Sequence, residues 1–115
     1  MFPRLSEPPM DRQSSPHILE ELYQTIRERQ RSGDKTSRTA RLFAKGPKKI
    51  AQKVGEEAVE VALEGERGAL DDLANESADL IYHLMVLWAS RSLAPETVWE
   101  KLRGRRNAPS ADEKA

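Results

Sequence analysis

The sequence predicts an all-α fold, a small bundle of four to five helices that is completed by dimerisation. Apolar residues recur at helical spacing along most of the chain, whereas no segment shows sustained alternation of apolar and polar residues and β-branched residues are sparse. The 115 residues are 37% hydrophobic and 33% charged. A chain of this size and composition forms one domain with a small core, so we expect a second subunit to cover part of its apolar surface.

The first helix is predicted from its cap and its apolar spacing. Prolines at positions 3, 8 and 9 disfavour regular structure, so residues 1–15 are expected to be a flexible lead and 16–106 the domain. Ser15 and Pro16 have the residue types of an N-cap and a first turn. Apolar residues then follow at helical spacing to about Arg31: Ile18, Leu19, Leu22, Tyr23 and Ile26. The run Ser32-Gly33-Asp34 is expected to end this helix.

Glycines and prolines mark the boundaries of the remaining helices. A short helical piece over 39–44 is closed by Gly46 and followed by a restart at Pro47. The second long helix is predicted over 48–64, the turn over 65–68 and the third long helix over 69–90. Pro95 opens a last helix, and 107–115 is expected to be a disordered tail.

The second half of the third long helix is apolar on nearly every face. Residues 80–89 read Leu-Ile-Tyr-His-Leu-Met-Val-Leu-Trp-Ala. Such a segment must be surrounded, in the core of the bundle or by a second subunit. A buried histidine satisfied by a neighbour is the more common case for His83, although a base is the alternative. Trp88 and Trp99 are interpreted as core or interface residues.

Two acidic pairs border the apolar stripes of the two long helices. Glu57 and Glu60 lie three residues apart on the first of these helices, and Glu76 and Asp79 on the next. If the helices pack antiparallel, the four carboxylates converge along one seam. Like charges at a buried edge are costly unless a cation neutralises them, and all-oxygen ligands suit Mg²⁺ or Mn²⁺. The alternative is an ordinary solvated acidic face.

Basic residues cluster just before the first acidic pair, and this arrangement suggests a phosphoanhydride substrate. The cluster consists of Arg41, Lys45, Lys48, Lys49 and Lys53. Pairing of Lys53 with Glu57, four residues later, is expected to direct the lysine along the acidic seam. For Lys48 and Lys49, ordinary surface charge at a helix start is the alternative.

Composition excludes several classes of function. Nineteen basic residues balance nineteen acidic ones and aromatics make up 5%, so a nucleic-acid partner is not expected. The chain has no cysteine, which rules out disulfides and thiolate metal sites. The N-terminus lacks the apolar core of a signal peptide, and the run 80–89 is about half the length that spans a bilayer. A cytoplasmic protein without a membrane partner is therefore expected.

Two motifs identify a family resemblance that extends over roughly Leu19 to Arg106. The runs Lys-Val-Gly-Glu-Glu-Ala-Val-Glu-Val (53–61) and Glu-Ser-Ala-Asp-Leu-Ile-Tyr-His-Leu (76–84) closely resemble the phosphoribosyl-ATP pyrophosphatases of histidine biosynthesis. That family belongs to the all-α nucleotide pyrophosphatases related to MazG. The resemblance implies a homodimer that uses Mg²⁺, with Mn²⁺ as a substitute, to hydrolyse phosphoribosyl-ATP to phosphoribosyl-AMP and pyrophosphate.

The resemblance also implies roles for individual residues. Glu56 and Glu57 would be catalytic, with Glu56 orienting or deprotonating water. The metal ligands would be Glu57, Glu60, Glu76 and Asp79. The candidate phosphate contacts would be Lys53, Lys49, Ser37 and Thr39.

The chain departs from the family pattern at two places. Arg38 stands where the family usually has an aromatic residue, and Arg67 lies in the predicted turn where relatives often carry a lysine. A pyrophosphatase acting on another nucleoside triphosphate therefore stays open as an alternative. A non-catalytic helical dimerisation module is the third possibility.

Overall fold

Five helices make up the part of the chain that can be described. The computed structural model describes residues 9–106, with side chains from residue 18 onward. Within this range the helices are α1 (Pro9–Ser32), α2 (Arg38–Lys45), α3 (Pro47–Arg67), α4 (Leu70–Ser90) and α5 (Pro95–Arg106). The predicted all-α fold is confirmed. None of these helices combines the length and hydropathy that a bilayer crossing requires.

The first helix begins earlier than the sequence predicts. It starts at Pro9 and not at Ser15, so the predicted start of this helix is wrong. A proline is tolerated in the first turn of a helix because its missing N–H would have no partner there. The expectations for 1–8 and 107–115 lie outside the described residues.

The predicted boundaries on either side of α2 are confirmed. Gly33 has φ 65° and Gly46 has φ 96°, the left-handed region that favours glycine. The Gly46 N–H donates to the Phe43 carbonyl oxygen, and Pro47 is the first residue of α3. These residue types therefore turn the chain sharply twice and bring α2 beside the start of α3.

Helix α3 continues to Arg67, beyond the predicted end at residue 64. The predicted turn over 65–68 is thus reduced to Gly68 and Ala69, with the Gly68 N–H donating to the Glu64 carbonyl oxygen at 2.9 Å. Because the connection is so short, α3 and α4 pack antiparallel, and this is the most extensive helix contact in the described chain.

The core lies where the start of α3 meets the end of α4. Its cluster of buried residues comes from four helices: Tyr23, Ile26, Leu42, Ile50, Met85, Val86 and Ala89. The other three helices therefore cover one side of the apolar half of α4, in agreement with its expected place in the core. Trp88 and Trp99 pack against this cluster and meet edge to face, with ring centroids 5.9 Å apart, in agreement with their interpretation as core residues.

Ile50 anchors the helix that carries the first acidic pair, since its side chain is only 1% exposed. We expect Ile50→Ala to lower the free energy of unfolding by about 2–5 kcal/mol, because it leaves a cavity in the core. Ile18→Ala, at a residue that is 56% exposed, serves as the matched control and should change it by less than about 1 kcal/mol. Urea unfolding measures both, and equal effects would contradict this description of the core.

Candidate active site

Three carboxylates meet across the seam between α3 and α4. Oxygen atoms of Glu57, on α3, and of Glu76 and Asp79, on α4, all lie within 4.8 Å of one another. Glu57 and Glu76 are half-buried, whereas Asp79 is exposed. The antiparallel packing therefore brings together residues from both acidic pairs, as the sequence predicts. We call these three residues the carboxylate cluster.

The carboxylate cluster makes ionisation of Glu76 unfavourable. Partial loss of hydration raises the pKa of Glu76 above its usual value, and the nearby charges of Glu57, Glu60 and Asp79 raise it further. A hard divalent cation would neutralise this repulsion. Octahedral Mg²⁺ has ligand oxygens at about 2.1 Å, so opposite ligands are about 4.2 Å apart. The spacing within the carboxylate cluster is compatible with such an ion.

Glu60, the fourth predicted ligand, lies outside the carboxylate cluster. Its side chain is exposed, and its oxygens are not among those that meet within 4.8 Å. Its charge nevertheless contributes to the raised pKa of Glu76, as does that of Glu64. Glu60 is thus near the cluster and contributes negative potential there.

A basic cavity of about 370 Å³ lies beside the carboxylate cluster on the same seam. Five cationic side chains line it, together with three other residues: Arg38, Arg41, Lys45, Lys49 and Lys53, then Leu42, Glu56 and His83. The two sites are adjacent because Lys53 precedes Glu57 by one turn of α3, and His83 follows Asp79 by one turn of α4. We call this the cationic cavity.

Two predicted phosphate contacts, Lys49 and Lys53, line the cationic cavity. The ion pair of Lys53 differs from the prediction, because its Nζ lies 3.5 Å from Glu56 and no pair with Glu57 occurs among the described residues. Glu56 also accepts a hydrogen bond from Gln52 at 2.8 Å. That bond, followed by the charges of Lys53 and Lys49, lowers the pKa of Glu56, so this carboxyl group is ionised at neutral pH.

The other two predicted contacts, Ser37 and Thr39, have structural partners and are not among the residues described as lining the cavity. The Ser37 hydroxyl caps α2 by accepting from the Ala40 N–H at 3.2 Å. The Thr39 hydroxyl lies 2.5 Å from the Tyr82 hydroxyl, and this bond joins α2 to α4. Both residues hold in place the helix that carries the cavity's arginines.

Arg38 is a cavity residue that the sequence analysis did not assign to the site. Its guanidinium lies 5.2 Å from the centroid of the Tyr82 ring and lines the cationic cavity. The available signal was spacing, because Arg38, Arg41 and Lys45 follow one another at three and four residues and share one face of α2. Arg67 is the other position at which the chain departs from the family pattern. It is exposed at the end of α3 and is not among the residues described as lining the cationic cavity.

His83 is buried, as expected, but only one of its ring nitrogens is satisfied. Nδ1 lies 2.8 Å from the backbone carbonyl oxygen of Asp79. Nε2 has no hydrogen-bond partner among the described residues, although the side chain is 1% exposed. Buried polar atoms normally find a partner, so this nitrogen is an unusual feature of the described core.

Comparison with known proteins gives the family. Residues 19–106 match the sequence profile of the family described as phosphoribosyl-ATP pyrophosphohydrolase. The chain belongs to this family. The matched range coincides with the described helices apart from the first turns of α1, and it includes the carboxylate cluster and the cationic cavity.

Individual relatives support membership of the phosphoribosyl-ATP pyrophosphohydrolase family. A phosphoribosyl-ATP pyrophosphatase of Azospirillum brasilense is 53% identical over 97 residues, which cover 84% of this chain and 87% of the relative. One from Paramagnetospirillum magneticum is 48% identical, with 84% and 89% covered. Another from Gluconobacter oxydans is 44% identical, with 85% and 74% covered.

The raised pKa of Glu76 generates a prediction about the metal-free protein. Because the folded state holds the Glu76 proton more tightly than the unfolded state, ionisation of Glu76 destabilises the fold above its folded-state pKa. We expect Glu76→Gln to raise the melting temperature in EDTA at neutral pH. This gain should disappear as the pH falls below the ordinary glutamate value of 4.5.

The matched control for this measurement is Glu20→Gln on α1, where an exposed glutamate is neutralised outside the carboxylate cluster. Its melting temperature should follow that of the unchanged protein at both pH values. A Glu76→Gln variant that melts at a lower temperature than the unchanged protein in EDTA at neutral pH would contradict repulsion within the cluster.

Proposed function

We propose that this protein hydrolyses the α–β phosphoanhydride of phosphoribosyl-ATP, giving phosphoribosyl-AMP and pyrophosphate, as the second step of histidine biosynthesis in the cytoplasm. One observation carries the proposal. A carboxylate cluster suited to a divalent cation directly adjoins a cavity lined by five cationic side chains. Membership of the phosphoribosyl-ATP pyrophosphohydrolase family supports the choice of substrate.

Glu57, Glu76 and Asp79 are the proposed ligands of Mg²⁺, with Mn²⁺ as a substitute and Glu60 as a further ligand. When bound, such an ion supplies charge neutralisation for the attacked phosphate and the leaving pyrophosphate. The cationic cavity contributes to the same end, because Lys49, Lys53 and the arginines of α2 attract phosphate oxygens. The substrate is thereby oriented across the seam between α3 and α4.

Glu56 is the proposed residue that orients the attacking water. It lines the cationic cavity as an ionised carboxylate, and so it can accept a hydrogen bond from water. Its bond from Gln52 and its ion pair with Lys53 fix the direction of the side chain. The hydrolysis needs no covalent intermediate, since water is the nucleophile.

The test measures pyrophosphate release from phosphoribosyl-ATP with Mg²⁺ and again with EDTA, beside a panel of ordinary nucleoside triphosphates. Rapid, EDTA-sensitive turnover of phosphoribosyl-ATP, with little turnover of the panel, is the expected result. Preference for another nucleoside triphosphate would overturn the substrate assignment and favour the second candidate, which is suggested by Arg38 in the cavity wall. No release from any substrate by folded protein would overturn both.

Removing one carboxylate from the cluster tests its role in catalysis. We expect Glu57→Ala and Asp79→Ala each to reduce Mg²⁺-dependent pyrophosphate release by at least about 100-fold, because a ligand of the ion is lost. Glu20→Ala, an exposed glutamate on α1, is the control and should keep full activity. Circular dichroism should report unchanged helicity in all three variants. Full activity in either cluster variant would exclude the proposed ligand set.

A homodimer is the second part of the proposal, and it is supported by two exposed apolar stripes. Between residues 51 and 62 of α3, one exposed stripe carries only small or apolar residues at helical spacing: Ala51, Gly55, Ala58, Val59 and Ala62. On α4 the corresponding stripe includes Leu70, which is 83% exposed, and Ile81, which is 42% exposed. Uncharged stripes of this length on a chain that is one-third charged are typical of an interface.

A charge placed in the α4 stripe tests this interface. We expect Ile81→Glu to weaken dimerisation at least about tenfold in sedimentation analysis, because a carboxylate would be buried without a partner. Gln24→Glu introduces the same charge at an exposed position of α1 and should leave the dimer intact. A monomeric unchanged protein, or an Ile81→Glu variant that dimerises normally, would contradict the assignment.

A further inference from the structure

Helix α2 carries most of the cations of the cationic cavity, although its contact with α4 is sparse. Three of the five cationic side chains that line the cavity lie on α2: Arg38, Arg41 and Lys45. The helix is only eight residues long, and the chain turns sharply at Gly33 before it and at Gly46 after it. The position of these cations relative to α4 therefore depends on a small number of contacts between the two helices.

Tyr82 on α4 makes two of these contacts. Its hydroxyl lies 2.5 Å from the Thr39 hydroxyl on α2. The face of its ring meets the guanidinium of Arg38, which lies 5.2 Å from the ring centroid, and a cation at this distance is attracted to an aromatic face. Tyr82 is not among the residues described as lining the cavity. It therefore acts on the cavity through its two neighbours on α2.

The location of Arg38 is unfavourable for α2 itself. Arg38 is the first residue of the helix, where the helix dipole disfavours a positive charge, and no acidic residue lies in the first turn. No ion pair involves Arg38 among the described residues. Its guanidinium contacts the Tyr82 ring instead, and its positive charge stays available to an anion in the cavity.

The ring of Tyr82 is itself held in place. It packs against the buried core cluster and meets the His83 ring edge to face, with centroids 4.9 Å apart. An anchored ring gives Arg38 a rigid contact surface, whereas a flexible neighbour would leave the guanidinium free to move.

We propose that Tyr82 is a positioning residue for the phosphates of the substrate: its ring and its hydroxyl hold Arg38 and the start of α2 where they bind phosphate oxygens. This inference rests on the proposed function, because it takes the ligand of the cationic cavity to be those phosphates. The physical reason is preorganisation. An arginine that is ordered only when the anion binds loses side-chain entropy, which lowers affinity about two- to tenfold, and Tyr82 orders Arg38 beforehand.

The experiment measures binding of inorganic triphosphate to the whole protein by calorimetry, in EDTA and at low salt. Tyr82→Leu removes both the aromatic face and the hydroxyl, and we expect it to weaken binding about two- to tenfold. In Arg38→Ala protein the same change should weaken binding by no more than half that factor, because the main group that Tyr82 positions is already gone.

A second pair of variants tests the hydroxyl contact, and it decides the question alone if Tyr82→Leu does not fold. Tyr82→Phe keeps the aromatic face and Thr39→Val keeps the shape of the side chain, but each removes one partner of the same hydrogen bond. We expect each to weaken triphosphate binding about two- to fivefold. The double variant should bind no more weakly than the weaker of the two.

Tyr23, the other of the two tyrosines in the chain, supplies the matched control. Its hydroxyl donates to the Leu93 carbonyl oxygen at 2.9 Å, and it is not among the residues described as lining the cationic cavity. Tyr23→Phe thus removes a long-range hydrogen bond away from the cavity. It should lower the melting temperature, as Tyr82→Phe should, but leave the affinity for triphosphate unchanged.

Additive effects of Tyr82→Phe and Thr39→Val would overturn the inference, as would an undiminished effect of Tyr82→Leu in Arg38→Ala protein. So would equal weakening by Tyr23→Phe, or no binding of triphosphate by the unchanged protein. The test is separate from that of the proposed function, because it needs neither a divalent ion nor turnover. A protein that releases pyrophosphate without this coupling would keep the function and lose the inference. Coupling in a protein that hydrolyses no nucleotide would support the positioning role and overturn the function.

Discussion

The antiparallel packing of α3 against α4 is the constraint on which the rest of the structure depends. The short connection at Gly68 and Ala69 fixes which turn of one helix faces which turn of the other. With that register, Ile50 meets the apolar end of α4, and Glu57 meets Glu76 and Asp79. A shift by one turn, about 5.4 Å, would separate the three carboxylates.

A group of acidic side chains and a group of basic side chains lie next to each other along this seam. The carboxylate cluster lies in its middle, and the cationic cavity lies one turn closer to the core, where α2 adds its arginines. This arrangement suits a polyphosphate, because its oxygens can bind a divalent ion at one site and cationic side chains at the other. His83 is buried beside the cationic cavity, and its ring is bonded to the backbone of Asp79 in the carboxylate cluster.

Most of the fold and part of the site could be predicted from the sequence. Glycine and proline positions indicated the helix boundaries because their backbone preferences are local, and helical spacing indicated the convergence of Glu57, Glu76 and Asp79. Side-chain partners were less predictable, since Lys53 pairs with Glu56 rather than Glu57, and Ser37 and Thr39 bond within the scaffold. Which partner a side chain takes depends on the residues that the folded chain places beside it. The role of Arg38 depends in the same way on how α2 lies against Tyr82.

The central claim is that Glu57, Glu76 and Asp79 form a site for a divalent cation. The most direct measurement is the melting temperature of the protein as Mg²⁺ or Mn²⁺ is titrated into a metal-free sample. An ion that binds only the folded state must stabilise it, so the melting temperature should rise with concentration, and this rise should be absent in Glu57→Gln. A melting temperature that stays constant across the titration in folded, unchanged protein would contradict the claim.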